Sequence, residues 1–472
     1  MHTLLAAAVG RHRQGQVLEA ETEYRRIIAL HPSFAEAHNA LGIALQQQGR
    51  SEEAIQTFQQ ALSLKPDYAG ARGNLGAALL ALGRRDEAIS VFEAALAQDP
   101  SSPDILYNLG WAMQEAGALE KSVALYGRAI ALNPCHYAAY GNLGMALRAS
   151  GRLNESLRAY EQAVALAKDQ ALIRYGYAQA LLEAGDFDLG WREHEVRFTA
   201  GIAKLRHTHL PRWQGEDIAG RSILVWAEQG LGDSIQFCRY LPLLRQSGAT
   251  VIFEVQEPLW RLCASMTGIN VIARGSPLPP ADIQVPLMSL PLLLGQKPFT
   301  PPIPYLSCSE AKDAEWKLRL GARTRPRVGL VWAGSPTHKD DHNRSLPLQV
   351  LHEILREPEV EFFSFQVGPA AAAFVGMHDL SEHLNDFADS AAAMCNMDLL
   401  IGVDTSVLHL AGALGCPAWA LLPFASDWRW LHGRDDSPWY PSLRLFRQNR
   451  RQDWSSVIDR ILSELKKLVE LS

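Results

Sequence analysis

A chain of 472 residues, 47% hydrophobic and 20% charged, is globular in composition and long enough for two or three domains, which excludes a wholly disordered protein. Its formal net charge of −6 comes without any Lys/Arg block, so neither a nucleic-acid-binding face nor an anionic membrane surface is favoured and a small or roughly neutral partner is expected. The six cysteines (Cys135, Cys238, Cys263, Cys308, Cys395 and Cys416) are scattered and include no Cys-x-x-Cys pair, which argues against a disulfide framework or zinc site and for reduced cytoplasmic thiols.

The opening MHTLLAAAVGRHRQG places its short apolar run ahead of its basic residues, the reverse of a secretory signal. No stretch reaches the length of a membrane span, so a cytoplasmic location with no membrane partner is expected. The first 200 residues repeat themselves. Pro32, Pro66, Pro100 and Pro134 are spaced by 34, as are the pairs Leu41-Gly42, Leu75-Gly76, Leu109-Gly110 and Leu143-Gly144 and the glycines Gly49, Gly83, Gly117 and Gly151. A small-residue helix, a glycine turn, a second helix such as DEAISVFEAALAQD and a closing proline at this period resemble the tetratricopeptide repeat. Residues 4–31 read as a partial first unit and 168–198 as a degenerate last one, which predicts an α-helical solenoid over 1–200 with a concave inner surface.

Asn74, Asn108 and Asn142 fall at one offset in successive repeats, inside the first helix of each, where Asn costs ~0.6 kcal/mol against Ala. Hydrogen bonding between repeats could offset that cost; so could an amide ladder gripping the backbone of an extended protein acceptor. Similar ladders occur in the tetratricopeptide region of the protein O-GlcNAc transferases, which this half resembles in repeat type. The position before the equivalent Leu is Ala40 in the preceding repeat, and Gly176 occupies it in the following one, so the ladder is short.

After about residue 200 the 34-residue period stops, prolines become frequent, and short β-rich runs such as SILVWAEQ and ATVIFEVQ alternate with helical stretches. That grammar predicts a parallel sheet with helices on both faces. It restarts with RVGLVWAG after a proline-rich passage and a helix near 310–320. The expected division is one Rossmann-like half over 201–305, a linker over 306–325, and a second Rossmann-like half over 326–472 whose tail helix, DWSSVIDRILSELKKLVELS, could pack back across both.

Three segments in order, GLGDSIQFCRYLPLL, VGLVWAGSPTHKDDHNRSLPL and DLLIGVDTSVLHLAGALGCPAWALLPF, resemble the heptosyltransferase-type glycosyltransferases of the GT-B fold, most of all the bacterial subgroup in which tetratricopeptide repeats precede that domain. The resemblance implies an inverting glycosyltransferase that moves a sugar from a nucleotide-sugar to a protein acceptor on Ser or Thr, with flagellin a plausible acceptor. The nucleotide-sugar is then a substrate and no cofactor is needed. Two other readings stay open: a repeat scaffold that binds a nucleotide-sugar without turnover, and a small-molecule or lipopolysaccharide glycosyltransferase.

The residues supply a chemistry for this reading. A helix beginning at Thr405 or Ser406 presents free backbone N–H groups and a positive dipole end at the carboxyl edge of a sheet, where a nucleotide diphosphate fits. His409 lies on the same helical face. A plain helix cap, worth ~1 kcal/mol, is the alternative for Asp404, Thr405 or Ser406. The family motif carries nucleotide-sugar contacts over to Asp404, Thr405 and Ser406, and leaving-group neutralisation to Arg344, with Lys339 a second candidate. A bidentate guanidinium suits phosphate. Asp233 in GLGD matches the family's catalytic base, a role worth ~10² to 10⁴ in rate, although Asp233 with Gln236 also resembles a capping box. Glu228 is the reserve base. The Asp186 to Asp188 stretch, DFD, reads as a helix start and not as a Mg²⁺ site, so metal-independent transfer is expected.

Overall fold

A computed structural model describes the chain apart from residues 296–301, 337–340, 372–373 and 471–472, and of Pro369 only the backbone. It divides into two compact units, Met1–Gly176 and Tyr177–Ser472.

The first unit is a run of antiparallel helix pairs, for example Ala35–Gln47 with Ser51–Leu64 and Pro103–Glu115 with Leu119–Leu132. Its two glycine series have different physical causes. Gly49, Gly83, Gly117 and Gly151 turn the chain within each pair at φ between +73° and +78°, a left-handed conformation that a Cβ makes costly. Gly42, Gly76, Gly110 and Gly144 are ordinary helical residues that instead receive an aromatic ring from the second helix of the pair: Phe58, Phe92, Tyr126 and Tyr160 respectively. A Cβ on Gly110 would lie 2.8 Å from the Tyr126 ring, and one on Gly144 2.9 Å from Tyr160. The Leu-Gly pair thus sets how closely the two helices approach, and the alanines Ala44, Ala54, Ala78, Ala88 and Ala112 fill the rest of a dry core.

The second unit contains two all-parallel sheets. In the first, β1 (Ser222–Trp226), β2 (Thr250–Val255), β3 (Asn270–Ala273) and β4 (Ile283–Pro286) lie in the order β3-β2-β1-β4, with Ile223 paired to Val251 on one side and Ile283 on the other. In the second, β5 (Arg327–Val331), β6 (Glu361–Ser364), β7 (Met377–Asp379), β8 (Leu399–Val403), β9 (Ala418–Leu422) and β10 (Leu443–Arg447) lie in the order β10-β9-β8-β5-β6-β7. The strands β5, β8 and β9 are buried throughout, as parallel strands covered on both faces must be, which explains their unbroken apolar runs. The tail helix Ser455–Glu470 covers one face of the second sheet, setting Val457, Ile458, Ile461 and Leu465 against Leu330, Ile401 and Leu421.

Two expected boundaries move. The α/β unit begins at Tyr177 and not at 201, because the end of the degenerate last repeat is core to the sheets: Leu182, Phe187 and Trp191 are buried there, and Trp191 meets Phe237 at 5.6 Å and Trp428 at 5.3 Å. The 306–325 stretch is no free linker. Leu306 is buried in the same core, and the helix Glu310–Leu320 buries Trp316 to 1% exposure. Asp186 does start a helix, its side chain accepting the Leu189 N–H at 3.1 Å.

Candidate functional site

The central strands β1 and β8 each run out at their carboxyl ends into a short loop and then a helix, Leu231–Phe237 after β1 and Ser406–Leu414 after β8. The two helices touch at Gly232. A Cβ there would lie 2.8 Å from the His409 ring and 3.5 Å from Ser406 Cα, so the second glycine of GLGD is what allows one motif to rest on the other. Residues 174 and 177 positions apart in the chain are thereby brought to one place by a missing side chain.

Asp233 is the third residue of its helix, and its Oδ2 accepts the Gly230 N–H at 2.8 Å. Its Oδ1 accepts from the Arg429 guanidinium. Arg429, in the short turn Trp428–Trp430 beyond β9, also donates to Asp427 Oδ1 at 2.7 Å and to Gln236 Oε1 at 2.8 Å. Burial works against its charge, but Asp427 and Asp233 outweigh burial and hold the guanidinium above its ordinary range. Arg429 is the residue that the sequence reading missed. It lies 196 positions from Asp233, in ASDWRW, where nothing local marks it as a partner.

The backbone carbonyl of Asp404 accepts from Arg344 Nη1 at 3.2 Å, while Arg344 Nε donates to Asp341 Oδ1 at 3.0 Å. Gly334 leaves room for this pair, since a Cβ there would collide with both side chains. Thr405 is the N-cap residue of its helix, yet no side chain caps that terminus, and the buried Thr405 hydroxyl has no partner among the described residues. The plain-cap alternative for Thr405 is therefore not what the structure contains. The buried Trp430 indole N–H lies beside the Asp404 carboxyl and favours its ionised form. An unpaired hydroxyl at the positive end of a helix suits an anionic ligand.

The other residues singled out from sequence fall differently. His409 is on the expected helix but is 5% exposed, stacked on Trp430 at 5.4 Å and bonded through Nδ1 to the Tyr440 hydroxyl at 2.9 Å. Burial and then Arg429 push it down to about 3, so it is a neutral wall of the site and not an open ligand contact. Glu228, the reserve base, has a side chain with 0% exposure, paired at 2.7 Å with Arg197, itself 0% exposed. Arg197 also donates to Glu195 at 2.6 Å and to Ser289 at 2.8 Å. Burial pushes the Glu228 carboxyl up and Arg197 pulls it partly back. This carboxylate is committed to a dry ion cluster and has no route to an acceptor hydroxyl. Lys339 lies outside the described residues. Ser406 is half-buried on the first turn next to Gly232.

In the helical unit, the ladder amides turn towards neighbouring repeats. Asn74 donates to Asn39 Oδ1 at 2.9 Å, Asn39 to the Tyr68 hydroxyl at 3.3 Å, and Asn142 to the Tyr107 hydroxyl at 3.2 Å. Asn39, one position before the offset shared by the others, therefore extends the rail that the period alone had ended at Ala40. Asn108 is half-buried. Inter-repeat bonding thus explains Asn74 and Asn142.

Asp404 carries the clearest pH signature. Burial, and next the negative charge of Asp427, push its carboxyl up to about 6, above the ordinary value near 3.9. A folded-state value above the unfolded one means that the folded protein binds the extra proton, so this group's contribution is present at low pH and is lost as pH rises through about 6. Asp404→Asn is expected to leave the melting temperature unchanged near pH 4 and to raise it at pH 7 to 8, by the equivalent of ~1–3 kcal/mol. Calorimetric melting across that range checks it, and a stability gain independent of pH would place the cause elsewhere.

Among the described residues no group of three or more His, Cys, Asp or Glu is arranged to hold a metal ion, and no helix is long and apolar enough to cross a membrane.

Comparison with known proteins bears on the helical half. Residues 5–69 and 142–190 match one tetratricopeptide-repeat family and residues 45–94 and 79–143 match a second, so the N-terminal region is built of these repeats. The chain is 27% identical over 336 residues to Protein FlbA of Caulobacter vibrioides, a match that takes in 63% of this chain and 56% of that protein. It therefore spans little more than half the length of that relative. Among solved structures, PilW, a type IV pilus biogenesis factor, aligns at 21% identity and a TM-score of 0.39 over 43% of this chain and 93% of PilW. A tetratricopeptide protein of Thermus thermophilus aligns at 24% identity and a TM-score of 0.35 over 38% of this chain and 98% of its own.

Proposed function

We propose that the Tyr177–Ser472 unit is a GT-B-type, inverting glycosyltransferase, and that the tetratricopeptide repeats, a protein-interaction scaffold, select a protein acceptor for it. The observation that carries the reading is the uncapped terminus at Thr405, with its unpaired hydroxyl, next to Asp404, whose carbonyl accepts from Arg344 and whose carboxyl feels Arg429, the partner of Asp233. Helix N–H groups and Arg344 neutralise a diphosphate without needing a metal. Asp233 then takes the proton of an acceptor hydroxyl while its oxygen bonds to the anomeric carbon and the bond from that carbon to the phosphate oxygen breaks. Arg429 fixes the orientation of Asp233 and does not touch substrate in this scheme. A Ser or Thr of flagellin is the acceptor that the sequence resemblance favours.

One observation favours a second reading, binding without turnover: both oxygens of Asp233 are already engaged, by Gly230 and Arg429. Donor binding is common to both readings and is tested first. Arg344→Ala should weaken nucleoside-diphosphate affinity, measured by calorimetry against a panel of bases, by ~1–3 kcal/mol, the range for a charge-assisted contact. Unchanged affinity in a folded variant would remove Arg344 from the site, and no binding of any nucleotide by the unaltered chain would remove the proposal.

A further inference from the structure

Three of the six cysteines, far apart in sequence, gather where three helix ends meet. Cys308 immediately precedes Ser309, the N-cap of the Glu310–Leu320 helix; Cys395 is the C-cap of the Phe387–Met394 helix; and Cys416 follows Gly415, which ends the Ser406–Leu414 helix. The Cys308 thiol donates to Cys395 Sγ at 3.5 Å. The Cys416 segment is held to the Cys308 segment by the Tyr305 N–H donating to the Ala413 carbonyl at 3.1 Å, and the Cys395 thiol favours the ionised form of Cys416. Solvent reaches the group: Cys395 is exposed, Cys308 and Cys416 are half-buried, and Cys308 helps to line an open groove of about 330 Å³ with Trp260, Ser265 and Lys312. The sulfurs are not arranged to hold a metal ion. The remaining thiols are unlike these. Cys238 and Cys263 neighbour each other but are fully buried, and Cys135 is exposed.

We infer that Cys308, Cys395 and Cys416 form a peroxide-reactive thiol site in which one disulfide closes through Cys395, the middle of the three. The hydrogen bond from Cys395 holds Cys416 below the ordinary thiol value, whereas Cys308 and Cys395 are both raised, so the first nucleophile is Cys416. Its thiolate attacks one oxygen of hydrogen peroxide: an S–O bond forms, the O–O bond breaks, and the departing hydroxide takes the Cys395 proton to become water. The Cys395 thiolate then attacks the Cys416 sulfur, the S–S bond forms and the S–O bond breaks, and the second hydroxide leaves as water with a proton from solvent. Two electrons pass from the two sulfurs to peroxide. Cys308, already at 3.5 Å from Cys395, can next displace Cys416 by exchange, its own proton passing to the released Cys416 thiolate. Either product ties the end of the Phe387–Met394 helix to a neighbouring segment.

The test uses the full chain, graded hydrogen peroxide, denaturation, maleimide alkylation and peptide mass spectrometry. The expected product is one disulfide per chain, Cys395–Cys416 or Cys308–Cys395, while Cys238 and Cys263 stay alkylatable after denaturation. Cys395→Ser should abolish every intramolecular link, Cys308→Ser should leave the Cys395–Cys416 link, and Cys416→Ser, which removes the first nucleophile, should leave none at the same peroxide dose. Linkage mapping of the unaltered chain needs no variant to fold. The inference is overturned if all three thiols remain free at a peroxide dose that oxidises Cys135, or if a Cys308–Cys416 link persists in Cys395→Ser.

Discussion

Asp233→Asn is expected to lower sugar transfer by about two to four orders of magnitude, the usual worth of a positioned general base, with donor binding nearly unchanged. An amide oxygen can still accept the Gly230 N–H, so the helix start survives. What the amide cannot do is take a proton or balance the charge of Arg429, which keeps Asp427 and Gln236 as partners. The stability cost should accordingly be modest, ~1 kcal/mol, because Arg429 keeps two partners and is not stranded. Transfer is read as sugar mass added to a co-expressed protein acceptor, and the melting temperature is read beside it. A variant that melts early yet still transfers would make Asp233 a cap alone. If the unaltered chain binds nucleotide but shows no transfer to any acceptor, the binding-only reading stands.

Glu228→Ala should behave in the opposite way, costing ~3–5 kcal/mol of stability because it leaves the Arg197 charge buried with fewer partners. Arg197 and Glu228 both have 0% side-chain exposure, so water cannot replace the lost carboxylate. Glu195 still faces Arg197 at 2.6 Å, which places the expected loss at the lower end of that range. Urea unfolding of the α/β unit in the full chain checks the prediction. An unchanged midpoint with abolished transfer would return Glu228 to the list of reacting groups.

These two carboxylates show where reading from sequence succeeds and where it stops. Both follow β1 within one loop and helix turn, AEQGLGD, and both are acidic at a sheet's carboxyl edge. Nothing local distinguishes them. The difference is their counter-charge: Arg197 meets Glu228 from 31 positions away through a dry interior, and Arg429 meets Asp233 from 196 positions away at a partly open edge. The same limit applies to His409, whose helical spacing from Thr405 is right but whose ring is sealed by Trp430 and Tyr440.

By itself the sequence determined whatever depends on neighbours along the chain. A 34-residue period must give identical stacked helix pairs, since each pair buries its apolar face only against a copy of itself. Unbroken apolar runs flanked by helices must give buried parallel strands, and Asp-Thr-Ser after such a run must open a helix at the sheet's carboxyl edge. Tertiary structure alone decided which polar groups were left unpaired, because pairing is set by distance in space and by burial. It joined Gly232 to His409, gave Asp233 its arginine, turned Asn74 towards Asn39, moved the unit boundary to Tyr177 and gathered Cys308, Cys395 and Cys416. Each of these contacts joins segments whose local patterns are complete without it, and only desolvation in the folded core makes the partner obligatory.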